Sequence, residues 1–345
     1  MPTIVEGGHW PGAGPRTVFV LGGGGSLGAF QAGCLLALAQ GGVAPDALAG
    51  CSAGALNAAF LAAGPGLRRT EQLASFWLDP QTHRVLAPST WSRLRGLAGA
   101  VTARSGALAD GGPLRRLVTT HLPAHDVSEL AVPLSVTTTC LRCGGAVHHT
   151  TGPLADVLLA SCALPGLLPP VRLPDGHTHV DGGVVCGVPV QAALDRAGPA
   201  DTVLVLDCGL APVTGAPGGC AAEPDAVAAC GLRVDRERHY RAPVEAGTTG
   251  VLDVVLQAFT VARAAANRAA VRDALTDPRV RVLPHVADAW AAGLLEALPT
   301  GPRDFATAPL LLAAGRAATA AWLDGGGLLR RPVPALTAPT RARAD

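Results

Sequence analysis

The sequence predicts an α/β protein in which helices alternate with strands buried on both faces, and three observations carry that expectation. The β-rich run Thr17-Val18-Phe19-Val20-Leu21 ends in a string of glycines, and Thr202-Val203-Leu204-Val205-Leu206 is a second such run. Between them, from Thr17 to Leu210, strand-like and helix-like patterns take turns, and the strand segments are continuously apolar rather than alternating. At 345 residues the chain suits one domain of above-average size, and no internal repeat stands out.

The first unit is strand, turn and helix. After residues 17–21 come Gly22-Gly23-Gly24-Gly25-Ser26-Leu27-Gly28, then residues 27–40 with apolar side chains at Ala29, Phe30, Cys34, Leu35 and Leu38. Backbone N–H groups at such a turn point outward beside the positive end of a helix, which suits an anion. The second unit repeats the order. Pro45 and Asp46 precede the short buried run Ala47-Leu48-Ala49, which leads into Gly50-Cys51-Ser52-Ala53-Gly54, and residues 53–63 read as a helix closed by Gly64-Pro65. G-x-S-x-G between strand and helix is the pattern that pushes a serine into a strained turn and stands its hydroxyl clear. Among 43 glycines the pattern alone equally describes a tight packing turn, so the flanking strand and helix carry the reading of Ser52 as a nucleophile, with Gly50 and Gly54 letting the chain pass close by.

Asp110-Gly111-Gly112 with Pro113 reads as the start of a helix over 114–121. Residues 171–180 form two short runs joined by Pro174-Asp175-Gly176, a hairpin that delivers Asp181 at a strand end, with Gly182 and Gly183 leaving room behind it. His177 and His179 fall on the Asp181 side of that strand and read as surface residues of the hairpin; spacing alone leaves a Ser-His-Asp set open. Further along, residues 211–231 read as a loop, 251–276 as a long helix, 279–284 as a strand and 306–323 as a last helix stopped by Asp324-Gly325-Gly326. The expected organisation is a flexible segment at 1–15, one domain over 16–325, and a proline-rich disordered tail at 326–345.

Composition removes several function classes. All 27 basic residues are arginine, so Schiff-base and pyridoxal chemistry, Walker-type phosphate loops and Ser-Lys hydrolases are excluded. A formal charge of +1 with scattered arginines gives no basic face, which argues against nucleic acid as a partner. Nine cysteines lie spread through apolar runs and read as small buried residues of a reducing compartment. Cys140-x-x-Cys143 lacks a second ligand pair and follows the strand-like Val136-Thr137-Thr138-Thr139, so neither a metal nor another cofactor is expected. No charged-then-apolar leader opens the chain and no apolar window is long and unbroken enough to span a bilayer; a cytoplasmic protein, free or peripheral at a membrane surface, is expected. Trp91, Leu94, Leu97 and Val101 fall at helical spacing, for a membrane surface, for a cap over the site, or for plain packing on the core.

The glycine string also fits Gly23-x-Gly25-x-x-Gly28, the dinucleotide fingerprint. That reading needs an acid at the end of the next strand, and Asp46 stands before its strand rather than after it.

Taken together, three blocks resemble the patatin-like phospholipases: the glycine loop with Gly33-Cys34-Leu35 behind it, Gly50 to Ala59, and Ser161-Cys162-Ala163-Leu164-Pro165-Gly166 through Pro169-Pro170 to Asp181-Gly182-Gly183. Weaker similarity extends over most of residues 16–323. The resemblance implies a three-layer sandwich with a central, mostly parallel sheet flanked by helices. It implies a lipid acyl hydrolase, of phospholipase A or lysophospholipase type, that uses a Ser-Asp dyad without histidine. Ser52 then attacks the ester, Asp181 accepts its proton, and N–H groups of Gly23, Gly24 and Gly25 hold the oxyanion before water releases the acid. An aspartate working as a base near neutrality needs burial to raise it from about 3.9. One position departs from the family pattern: Leu27 stands where the loop usually carries a basic residue just before its last glycine. Acyl transfer to an acceptor other than water, and a catalytically weak lipid-binding scaffold, remain the alternatives.

Overall fold

The computed structural model describes residues 4–5, 9–10, 14–86, 110–209, 251–295 and 305–328. The features expected at 91–104, at 211–231 and in the tail beyond 328 lie outside them.

Strands β1 (Ile4–Val5), β2 (Thr17–Leu21), β3 (Ala47–Cys51), β4 (Leu134–Cys140), β5 (Ala146–His149), β6 (Val171–Arg172), β7 (Thr178–Asp181), β8 (Thr202–Leu206) and β9 (Val280–Val282) join in one sheet. Its central run, β4-β3-β2-β8-β9, is parallel throughout. Strands β5 and β7 both run antiparallel to β4. Strand β1 lies parallel to β5, so Ile4 and Val5 are held in the sheet, and Trp10 is buried beneath the Arg196 guanidinium. The expectation of a flexible segment does not extend to these residues.

Helices α1 (Gly28–Gln40), α2 (Ala53–Ala62), α3 (Leu67–Leu78), α4 (Pro80–Leu86), α5 (Gly112–His121), α6 (Leu154–Ser161), α7 (Val190–Leu194), α8 (Val251–Ala274), α9 (Val286–Ala291) and α10 (Ala308–Asp324) complete the described elements. The two-residue period of a strand explains the layering. Phe19, Leu21, Leu48, Leu204 and Leu206 point into a core shared with α1, α2, α3 and α10. Their neighbours Val18, Val20, Ala47, Ala49, Val203 and Val205 point to the other face, against α7 and the end of α8. Both faces of the parallel strands are therefore covered, and each fully buried Leu or Phe contributes about 1.5–3 kcal/mol.

The first two units are also tied by a polar network inside the larger core. Asn57 donates to Gln31 Oε1 at 2.8 Å and to Gly28 O at 3.0 Å, and accepts from Trp77 Nε1 at 2.7 Å. Gln31 in turn donates to Leu206 O at 3.1 Å. Every one of these groups is buried, so each unmade bond would carry a desolvation penalty of about 1–3 kcal/mol.

The two readings of the glycine loop, oxyanion and dinucleotide, separate here. Asp46 sits at the start of β3 and accepts from Thr17 N–H at 2.8 Å, whereas the glycine loop follows the far end of β2. Five strand residues put them about 15 Å apart, too far for one nucleotide's pyrophosphate and ribose to be held in the expected way.

Candidate active site

The position of Ser52 follows from an encounter between two strands. Strand β3 runs up one side of β4 until Cys51 pairs with Thr137. Strand β7 comes down the same side from the opposite direction until Asp181 pairs with Thr138. The two strands thus meet head-on beside adjacent residues of β4. Ser52, next after Cys51, and Asp181, last of β7, are brought together although 129 residues separate them.

At that junction Ser52 has φ 53° and ψ −125°, the one left-handed non-glycine residue among the described residues. Such strain costs on the order of 1–3 kcal/mol and persists only where the surroundings impose it. Several neighbours do. A Cβ on Gly54 would stand 2.2 Å from Leu21 O, so only glycine lets α2 start against the end of β2. A Cβ on Gly182 would stand 2.5 Å from Thr137 O. Ser161, at the end of α6, accepts from Ser52 N–H at 2.9 Å and donates to Thr137 O at 2.7 Å, tying the turn to β4. Sequence reading placed Ser161 in a block without a role; its hydroxyl fixes the backbone of the turn.

Ser52 Oγ donates to Asp181 Oδ2 at 2.7 Å, and Asp181 Oδ1 accepts from Gly183 N–H at 2.7 Å. Asp181 is 1% exposed, and burial raises its carboxyl above the ordinary value, opposed by the Arg263 charge and by its two hydrogen bonds. That is the dry setting a carboxylate base requires. Cys51 and Cys162 flank the pair, and burial pushes both thiols up, which keeps them neutral.

The glycine loop lies beside this pair, but its amides are not equivalent. Gly23 N–H donates to Gly187 O at 2.9 Å and is already satisfied. Among the described residues no protein group accepts from Gly24 or Gly25 N–H, and Gly25 lines the cavity. The expected trio therefore narrows to two available donors, with Gly23 packed against Ser52. Leu27 is fully buried in the larger core, so the loop's departing residue faces away from the site.

Ser52 and Asp181 open into a cavity of about 100 Å³. Its wall is mostly apolar: Leu56, Trp77, Val85, Leu86, Leu114, Leu164, Leu167, Leu168, Phe259 and Phe305. Asp110 and Arg263 supply its charged groups besides Asp181. Asp110 also accepts from Gly112 N–H at 3.1 Å, the helix-starting role read from the sequence. Arg263, on α8, had no signal in the sequence.

The histidines correct an expectation. His179 is fully buried, not on the surface, with Nδ1 2.8 Å from Thr138 Oγ1 and Nε2 2.9 Å from Asp175. His177 is half-buried and meets Cys140 and Arg142. Among the described residues no histidine lines the cavity, so a Ser-His-Asp set is not assembled there. Cys143 is likewise exposed rather than buried. No described helix is long and apolar enough to cross a membrane.

The chain is similar to known proteins over somewhat more than half its length. At 30% identity the chain is similar to patatin-like phospholipase domain-containing protein 7 of Mus musculus, and at 32% to protein 6 of Homo sapiens, over 197 residues each. Those matches span 57% of this chain and 14% of the relatives. Neuropathy target esterase sws of Drosophila melanogaster is 28% identical over 191 residues, 55% of this chain and 13% of that protein. Among solved structures, VipD from Legionella pneumophila aligns with a TM-score of 0.41 at 15% identity, covering 91% of this chain and 67% of its own. ExoU, a type III effector, aligns at 0.33 and 17%, covering 92% and 54%. Residues 19–194, which run from within β2 through the glycine loop, Ser52 and Asp181 to the end of α7, match the family described as patatin-like phospholipase, and the chain belongs to that family.

Proposed function

We propose that this chain is a serine lipid acyl hydrolase, of phospholipase A or lysophospholipase type, working through a Ser52-Asp181 dyad. The observation that carries the reading is the 2.7 Å bond from a strained Ser52 hydroxyl to a buried carboxylate at the mouth of an apolar cavity. The acyl chain of the ester lies along the apolar wall and its carbonyl stands over Ser52. Oγ attacks the carbonyl carbon while Asp181 takes the proton, and the oxyanion is held by Gly24 and Gly25 N–H. Asp181 returns the proton to the leaving alkoxide. Water, deprotonated by the same carboxylate, then releases the fatty acid. Gly183 N–H supports Asp181 whenever it is ionised. The domain assigned to this activity is 16–325, and its ester is presented in a lipid surface.

A fluorophosphonate probe, which phosphonylates activated serines as Oγ attacks phosphorus and fluoride leaves, tests the reading. Labelling of the wild type and its loss in Ser52→Ala support it; folded wild type that takes no label overturns it. Fatty acid released into water, rather than moved to an added alcohol, separates hydrolysis from acyl transfer.

A further inference from the structure

We propose that Arg263 is the specificity-determining residue of this site, its guanidinium binding a phosphate carried by the ester close to the scissile carbonyl; the proposal rests on the hydrolase reading above. Arg263 comes from α8 on the opposite layer from α1 and α2, yet it lines the same cavity as Ser52 and Asp181. Its side chain passes close to glycines that adjoin both members of the dyad. A Cβ on Gly23 would meet its Nη1 at 3.5 Å, and one on Gly183 would meet its Cδ at 2.9 Å. One helical turn on, Asn267 fills the space that a Cβ on Gly187 would need, 2.4 Å from its Oδ1. The glycines after Asp181 thus leave room for two side chains of one helix face, and Arg263 is seated between fixed walls.

What that guanidinium lacks is a partner. Arg263 as a residue is 8% exposed, its Nε is buried without a hydrogen bond, and among the described residues it makes no ion pair. Asp181, the carboxylate that feels its charge, has both oxygens engaged, one by Ser52 and one by Gly183 N–H. A buried, unpaired cation in the wall of a cavity is costly unless an anion completes it. An arginine fork matches two oxygens of a phosphate, and its planar donors hold that group in one orientation. The positive charge that Leu27 does not provide from the glycine loop is in this way delivered by a helix from the far layer.

The test pairs a monoacylglycerol phosphate with the monoacylglycerol of the same acyl chain. Wild type is expected to favour the phosphate ester in kcat/KM, and Arg263→Met to collapse that ratio by on the order of ten- to a hundredfold, the size of a hydrogen-bonded charge contact, chiefly through KM. Arg263→Lys keeps the charge without the fork and retains part of the preference. Absence of a preference in the wild type, or an equal loss on both esters in Arg263→Met, overturns the proposal. Calorimetry on Ser52→Ala with ether-linked analogues decides it without any turnover: tighter binding of the phosphate analogue, lost in Ser52→Ala/Arg263→Met, supports it, and equal binding of the two analogues overturns it. Failure of fluorophosphonate labelling overturns the hydrolase reading and leaves this binding comparison intact.

Discussion

Strands β2 and β3 run side by side with Leu21 opposite Gly50, and each enters its helix through a glycine-rich turn at the same edge of the sheet. The β2–α1 turn spends several residues on the passage, including a short 3-10 segment at Gly25–Leu27, and places its left-handed backbone at Gly25, φ 60°. The β3–α2 turn makes the passage in one residue and places its left-handed backbone at Ser52, φ 53°. In the first, glycine adopts the conformation freely and only main-chain donors face the cavity. In the second, a serine is held where glycine would be easier, and the strain aims a hydroxyl. The pair teaches that the candidate site draws its main-chain donors and its serine hydroxyl from two copies of one structural idea. Gly54, wedged against Leu21 O, holds the copies in register.

The sharpest way to break the comparison is to give the second turn the residue of the first. Ser52→Gly is expected to lower kcat/KM on a lipid ester by about 10⁴-fold or more. The same variant should unfold at higher denaturant, by about 1 kcal/mol, because the left-handed strain is relieved. Next in size, Gly54→Ala drives a methyl into Leu21 O and should cost about 3 kcal/mol in a urea titration. Gly64→Ala, where nothing lies within 4 Å, should be silent in the same titration. Ser161→Ala leaves Ser52 N–H buried without its acceptor, and an unfolding loss of about 2 kcal/mol with slower fluorophosphonate labelling is expected. The smallest effect concerns pH. Burial raises the Asp181 carboxyl, so ionising it in the folded state is penalised. Its share of stability is therefore full below the ordinary carboxylate value and is lost as pH rises through the raised one. Asp181→Asn should gain melting temperature over the wild type at pH 8, with the gain shrinking as pH falls. The labelling rate of the wild type should meanwhile decline as pH drops through the same raised value, above about 3.9.

Both turns were legible in the sequence because each is local: a run of β-formers, the glycines and the helix lie within a few dozen consecutive residues. The hairpin that carries Asp181 was legible for the same reason, down to the Pro-Asp-Gly turn. Long-range features left no such mark. That Gly23 N–H is taken by Gly187 O depends on a loop distant in the chain. His179 looked like a surface residue because alternation along β7 cannot reveal that β4 lies beside it, with Thr138 reaching its ring. Arg263 sits in a helix whose periodicity fits simple packing, and only the glycines at 183 and 187, read together with the fold, disclose where its side chain is received. The family pattern at Leu27 was read as a missing charge, whereas the structure shows an apolar core position there and a cation arriving from another layer.

The head-on meeting of β3 and β7 bears on the moment at which the Ser52–Asp181 pair is formed. Both strands dock on the same edge of β4, which serves as their common template, and β4 follows β3 and precedes β7 in the chain. A nascent or half-folded chain holds a serine hydroxyl with no base beside it. Contacts this far apart in sequence form late, since loop closure must come first. On the proposed reading the Ser52–Asp181 pair forms only when β3 and β7 are both docked on β4, so the return of fluorophosphonate labelling during refolding is expected to report that docking.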